Sequence, residues 1–307
     1  MKPGAHAAPL GPMPAGPDVK SGHRLLDFVS LTKPRLNLLV LLTTLGGLYI
    51  ASPTGVATTL LLHTMIGTAL VAGGAAALNQ VWERDTDRLM RRTSQRPLAS
   101  RRLQALEGAW FGSALGAAGL LELVLAVNIT AAWVAAVTLI SYVLFYTPLK
   151  TRSSLSTLVG AVPGALPPVI GWAAATGRIE LPAIVLFGIV FFWQMPHFLA
   201  IAWIHRADYA RAGIPLLPVL EPDGRRTGRQ ALQYALALGP VSLMPVLVGI
   251  AGAVYAAVAV VLWGAMVRVT TRFARDRSNE HARALFVFSL AYLSLLWLAL
   301  VIDRLWL

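Results

Sequence analysis

Residues Thr58–Ser100 read TTLLLHTMIGTALVAGGAAALNQVWERDTDRLMRRTSQRPLAS. The first half is an apolar run long enough to cross the hydrocarbon core of a bilayer, which takes about 20 helical residues. The run then closes on acids and bases, beginning with Asn79, Glu83 and Asp87. These three are spaced by four, so one helix face holds them all, and Asp85 falls off that face. Ionisable groups on a membrane helix are functional by default. Oxygen ligands suit a hard cation, and Mg2+ typically takes one or two carboxylates together with substrate phosphate oxygens. Arg84, Arg88, Arg91, Arg92, Arg96, Arg101 and Arg102 surround the acids, and arginine binds phosphate oxygens bidentately. The stretch therefore predicts a membrane helix ending in a metal–diphosphate site.

The rest of the chain is built to the same plan. It has 307 residues, 56% hydrophobic and 13% charged, far below the roughly 25% charged of a soluble domain. Nine segments are long and apolar enough to span, at about 27–51, 58–83, 104–126, 129–149, 154–176, 181–205, 229–248, 250–268 and 285–304. Strongly basic and nearly bare connections alternate between them. The positive-inside rule then places the N-terminus in the cytosol and the C-terminus outside. The expected fold is all-α: a polytopic membrane protein with nine transmembrane helices around a central cavity. Residues 1–22, rich in Pro, Gly and Ala, are expected to be a disordered cytosolic tail, and 23–307 a single transmembrane domain. The tail shows neither a signal-peptide nor a presequence pattern. The net charge of +12 is clustered between apolar runs, which fits an anionic leaflet and anionic substrates and not nucleic acid. Cysteine is absent, which removes disulfides, thiolate catalysis and Cys-based metal sites.

A second polar constellation lies in the sixth segment. Trp193, Gln194, Met195, Pro196 and His197 sit in an otherwise apolar run, with His205, Arg206, Asp208 and Arg211 at its basic end. Pro196 lacks a backbone donor, so a kink is expected there. A histidine in a membrane helix needs a partner. His197 is read either as a ligand contact or as a hydrogen-bonded structural residue beside Gln194. Asp208 is expected to hold an arginine. Gly213, Pro215 and Pro218 mark a turn that could close over a headgroup. His63, Glu107 and Glu122 are read as packing or helix-end groups.

With these residues in view, the sequence resembles the UbiA superfamily of intramembrane prenyltransferases. The first motif of that family reads Asn-Asp-x-x-Asp-x-x-x-Asp; here it reads Asn79-Gln80-x-x-Glu83-x-x-x-Asp87. Gln80 and Glu83 are departures. That variant, followed by RRTSQRPL, is similar to the protoheme IX farnesyltransferase branch. So are LTKPR at Leu31–Arg35, YTPLKTRS at Tyr146–Ser153, VPGALPPVIGWAAATG at Val162–Gly177 and the stretch Trp193–Val219 that opens WQMPHF. The resemblance covers the chain from about Leu31 onward. It implies farnesyl diphosphate and heme B as substrates, Mg2+ as cofactor, and heme O and diphosphate as products. It implies catalytic roles for Asn79, Glu83, Asp87 and Lys150, the first three as metal ligands. Lys33, Arg35, Arg96 and Arg152 would join Lys150 at the diphosphate, with simple leaflet anchoring as the alternative. Trp193, His197, Arg206 and Asp208 would bind substrate, His197 through iron or a propionate. The lack of a presequence pattern favours a bacterial inner membrane, and the basic connections place the site on the cytosolic side; contact with heme A synthase or a terminal oxidase is a further expectation, behind which no residue stands.

Three other readings stay open at this level. A UbiA-type enzyme acting on an aromatic acid, quinone precursor or chlorophyllide is disfavoured by WQMPHF and by Asp208 standing alone where most of the superfamily places a second Asp-rich motif for a second metal. A secondary transporter is disfavoured because the polar cluster sits at a helix end and not at the midplane. A heme-binding assembly protein without catalysis would not require the carboxylate face.

Overall fold

The computed structural model describes residues 21–304, with side chains from Arg24 onward. Most of the expected tail, 1–22, lies outside the described residues; Ser21 and Gly22 open the first helix. Every regular element among the described residues is helical. In chain order these are α1 (Ser21–Leu31), α2 (Pro34–Ile50), α3 (Thr58–Leu89), α4 (Ala105–Ala126) and α5 (Ile129–Ile140). A π-helical stretch, Ser141–Tyr146, continues α5 into α6 (Thr147–Leu149). Then come α7 (Ser156–Ala165), α8 (Pro167–Thr176), α9 (Leu181–Ile204), α10 (Arg206–Arg211), α11 (Leu217–Leu220), α12 (Arg225–Leu247), α13 (Ala253–Arg275) and α14 (Asn279–Arg304).

The first expected segment, 27–51, is two helices. Pro34 occupies the first turn of α2, and Lys33 before it adopts a left-handed conformation at φ 49°, so the chain cannot run straight through. Among the described residues eight spans are long and apolar enough to cross a membrane, α5–α6 and α7–α8 each counting as one. The ninth apolar helix, α2, has 17 residues and reaches about 25 Å at 1.5 Å per residue, short of the roughly 30 Å core. The segment expected at 154–176 breaks between α7 and α8, where Pro167 and Pro168 remove two successive donors. At Pro196 the helix is not interrupted: α9 runs through it from Leu181 to Ile204. Several helices outrun their apolar segments at the basic face. α3 continues to Leu89, α12 starts at Arg225 and α14 at Asn279, because charged residues end an apolar run without ending a helix.

Small residues set the closest packings. Gly67 and Gly74 of α3 lie against Gly112, Gly116 and Gly119 of α4, where a Cβ on Gly74 would come within 2.6 Å of the Gly112 carbonyl. Gly171 of α8 lies on α2, its Cα facing the Thr44 carbonyl and the Leu48 amide. On the other side α9 packs against α12 and α14, and α14 reaches back to α2.

Contacts between the connections show which ones share a face. The α3–α4 loop meets α1 through Arg102 and Asp27 at 3.0–3.1 Å. It meets α10 through Arg92 and Tyr209, and α10 meets the start of α14 through Arg206 and Asn279 at 2.7 Å. The basic connections therefore gather at one end. At the other end Asn128 caps α5 and donates to the carbonyls of Ala173 and Ala174 at the close of α8. There Asp303 also accepts from the backbone of Gly252 and Tyr255 at the start of α13.

Candidate functional site

The expected face of α3 forms the floor of a buried polar cluster. Asn79, Glu83 and Asp87 are 2%, 6% and 1% exposed, although each is polar or charged. Asp85 points outward and pairs with Arg88 at 3.3 Å. Gln80, one of the departures from the family motif, turns to α1 and donates to the Leu31 carbonyl at 2.9 Å. It satisfies one of the open carbonyls at that helix end and leaves the cluster to its neighbours.

Three cations meet the three α3 side chains, each from a different element. Lys33, at the α1–α2 break, donates to Asn79 Oδ1 at 2.8 Å. Lys150, following α6, donates to Glu83 Oε1 at 2.9 Å. Arg96, in the loop after α3, donates to Asp87 Oδ2 at 2.8 Å and lies 3.8 Å from Glu83 Oε2. The remaining carboxylate oxygen, Asp87 Oδ1, is buried with no hydrogen-bond partner. Such an orphan charged acceptor is costly.

Local structure explains how the cations arrive. The left-handed turn at Lys33 separates α1 from α2 and lets its side chain reach α3. The π-helical stretch before α6 shifts the helix register. Thr147 Oγ1 consequently donates five residues back to the Tyr142 carbonyl at 2.7 Å and accepts from Asn79 Nδ2 at 3.2 Å. Arg96 follows a tight loop in which Thr93 Oγ1 donates to the Asp87 carbonyl at 3.0 Å. Burial, then the nearby Arg96 guanidinium, pulls the Lys33 ammonium down to about 8. Burial also disfavours the Lys150 ammonium, but the Glu83 carboxylate holds it and its pKa ends above the ordinary lysine value.

Arg35 and Arg152 do not join this cluster. Both are exposed, the first because α2 turns it away from α3 and the second because the turn after Lys150 carries it outward. Asp208 pairs with Arg211 one turn later on α10, which meets the expectation of an arginine partner. Arg206 lies over the Trp203 ring at 4.4 Å and donates to Asn279 of α14.

Trp193 and His197 form a separate group on the α9–α14 seam. His197 stacks on Trp193, with ring centroids 5.0 Å apart, and meets Phe286 at the same distance. Its Nδ1 hydrogen-bonds Ser289 Oγ at 2.7 Å, and Trp193 Nε1 donates to the Ser289 carbonyl at 2.6 Å. The polar partner of His197 is thus Ser289 and not Gln194, which points to the other side of α9 and donates to the Ala161 carbonyl of α7. His63 and Glu122 pair at 2.7 Å between α3 and α4, while Glu107 closes a capping box with Gln104.

Sequence reasoning missed Thr147, Tyr209 and Ser289. Thr147 is uncharged, and its inward orientation depends on the π-helical register. Tyr209 is a buried part of an apolar contact with Met90, Ala202, Ile214 and Leu216 that docks the α3–α4 loop onto the α10–α11 connection. Ser289 is one small polar residue in an apolar helix, and only its contact with His197 marks it.

The fold and site define a polytopic membrane protein with a buried carboxylate–cation cluster at one membrane face. Residues 40–296 match the UbiA prenyltransferase family, and the chain belongs to that family. It is 46% identical over 287 residues to a protoheme IX farnesyltransferase of Solibacter usitatus, covering 91% of this chain and 98% of that protein. It is 45% identical over 287 residues to a protoheme IX farnesyltransferase of Myxococcus xanthus, covering 91% and 94%. Among solved structures it is similar to a digeranylgeranylglyceryl phosphate synthase, at TM-score 0.79 and 16% identity, covering 93% of this chain and 100% of that one. It is also similar to a UbiA homolog from Archaeoglobus fulgidus bound to GPP and Mg2+, at TM-score 0.64 and 17% identity, covering 90% and 99%.

Proposed function

We propose that this chain transfers the farnesyl group of farnesyl diphosphate to a vinyl group of heme B, with addition of water, giving heme O and diphosphate. The observation that carries the reading is the buried cluster in which Asn79, Glu83 and Asp87 face Lys33, Lys150 and Arg96, with one Asp87 oxygen unpartnered. The choice of heme as acceptor rests on the relatives that bear the name protoheme IX farnesyltransferase.

The donor set fits a hard cation. It consists of oxygen atoms, and the bare Asp87 Oδ1 is the kind of acceptor that a metal ion satisfies. Asn79, Glu83 and Asp87 would hold Mg2+. Bound there, Mg2+ supplies Lewis-acid stabilisation of the charge that builds on diphosphate.

The protein's own cations do the rest. Lys33, Lys150 and Arg96 outnumber the two carboxylates they contact, so the cluster carries positive charge to spare for an anionic headgroup. On binding, these side chains turn from carboxylate and amide oxygens to phosphate oxygens and orient the diphosphate as leaving group. The bond between farnesyl C1 and oxygen breaks, and its electron pair leaves with diphosphate. The vinyl π pair of heme forms the new carbon–carbon bond. A water oxygen adds to the carbon left electron-poor and gives up a proton. Apolar helix walls exclude water before that point, since early water would yield farnesol. Trp193, His197 and Phe286 line the acceptor side, and Arg35 and Arg152 anchor the leaflet. The site lies on the cytosolic side of a bacterial inner membrane, where the basic connections are favoured.

The test is product analysis of the purified protein with heme B, farnesyl diphosphate and Mg2+. Mass spectrometry should find heme O. Prenylation of an aromatic acid in place of heme would assign the chain to another acceptor.

A further inference from the structure

The α9–α14 seam continues past His197 to the membrane face, and what lies there is unused by the farnesyl-transfer site. On α14, Asn279, Arg283, Phe286 and Ser289 follow one another at intervals of four, three and three, a single helical stripe. Two members of that stripe touch His197, namely Phe286 and Ser289. A third, Asn279, accepts from Arg206 at 2.7 Å. Arg283 lies between these contacts. It is exposed and takes part in no ion pair among the described residues. Arg206 is itself held over the Trp203 ring, so its guanidinium is fixed at the mouth of the same seam.

Arginines cluster at this mouth. Arg206 and Arg283 are joined by Arg92, which contacts Tyr209 from the α3–α4 loop. Of the acids beside them, Asp208 pairs with Arg211 and Asp276 with His281, and Glu280 stands in the first turn of α14, so the basic groups outnumber the acidic ones. Burial, then Arg92, lowers the pKa of His205; Asp208 opposes this and Arg283 adds a smaller lowering. Six residues of α14 separate Arg283 from Ser289, about 9 Å at 1.5 Å per residue. That is comparable to the reach of a porphyrin from its centre to its propionate carboxylates.

We propose that Arg206 and Arg283, at the mouth of the α9–α14 seam, form a carboxylate subsite that takes the propionates of the acceptor while its ring lies along Trp193, His197 and Phe286. The inference rests on heme being the acceptor. It adds the orientation: propionates toward the basic face, vinyl edge inward. Guanidinium pairs with carboxylate through two parallel hydrogen bonds, and arginine keeps its charge at any working pH.

The experiment is an absorbance titration of the purified protein with heme B and with its dimethyl ester, whose propionates are neutral. Wild type should bind heme B about tenfold or more tightly than the ester, the fold-change of one charged hydrogen bond. Arg283→Gln should shrink that preference, and Arg206→Gln with Arg283→Gln should abolish it, while affinity for farnesyl diphosphate stays unchanged. Equal binding of heme and ester by wild type would overturn the inference, as would a preference that survives in both variants. If the two arginines served an anionic lipid headgroup, the ester would bind as well as heme. Failure of the parent reading looks different: the protein would bind farnesyl diphosphate but neither heme nor ester.

Discussion

Asp87→Asn should separate function from stability. In the ligand-free protein Asp87 is 1% exposed, with Oδ2 on Arg96 at 2.8 Å and Oδ1 on no partner. An unsatisfied buried acceptor costs about 1–3 kcal/mol, more when charged. Asparagine is isosteric, keeps an oxygen for Arg96 and removes the buried charge. It weakens the Arg96 pair, which Glu83 at 3.8 Å still partly supports. These two effects oppose each other, so the apparent unfolding midpoint in detergent should move by little, equivalent to about 1 kcal/mol in either direction. Activity should behave otherwise. Losing one preorganised electrostatic group costs about 2.7–4 kcal/mol of barrier, or about 10²–10³ in kcat. The assay is farnesyl transfer at saturating Mg2+ beside a thermal unfolding curve of the same preparation. Activity within about threefold of wild type would refute the metal-ligand role. A loss of activity fully accounted for by unfolding would refute the separation of function from stability at Asp87.

The other predictions concern the cations, the metal and the packing. Lys33 is held near pKa 8 and binds an anion in its charged form, so inorganic diphosphate affinity of the metal-free protein should fall as pH rises through about 8. Isothermal titration should show that fall in wild type and none in Lys33→Arg. Chelation of Mg2+ should abolish turnover and lower the unfolding midpoint only by the small amount that metal binding adds to the folded state, with the circular dichroism spectrum unchanged, because Lys33, Lys150 and Arg96 already neutralise the carboxylates; a collapse of the fold would contradict this. Gly171→Ala places a methyl 2.7 Å from the Leu48 amide nitrogen and closer still to the Thr44 carbonyl, an overpacking worth about 1–3 kcal/mol. Gly264→Ala meets nothing within 4 Å and should raise stability by about 0.5–1 kcal/mol through helix propensity. Unfolding midpoints shifted in opposite directions would confirm the pair, and equal shifts would count against the α2–α8 contact.

Spacing and charge made much of the cluster legible. Asn79, Glu83 and Asp87 share a face by arithmetic alone, and Asp85 lies off it. Lys150 and Arg96 were marked by the resemblance and not by charge alone, since Arg96 is one of seven arginines in its loop. Hydropathy could not distinguish Lys33, which enters the cluster, from Arg35, which does not. That difference is set by one left-handed residue and the proline after it. Nor could it show the break at Leu166, since Pro167 and Pro168 are apolar and leave the run intact. Thr147 turns inward through a π-helical register that no spacing announces. Ser289 needed its contact with His197 on another helix, and long-range pairing is not written in local pattern. The paired basic connections predicted a shared face, and the contacts from Arg102, Arg92 and Arg206 gather them there.

The most direct test of the central claim is a structure of the protein with Mg2+ and an unreactive farnesyl thiodiphosphate. The account predicts metal density against Asn79, Glu83 and Asp87. It also predicts that the amino groups of Lys33 and Lys150 and the guanidinium of Arg96 leave their present partners for the phosphate oxygens. Diphosphate bound elsewhere, with the Lys150–Glu83 and Arg96–Asp87 pairs intact, would contradict it.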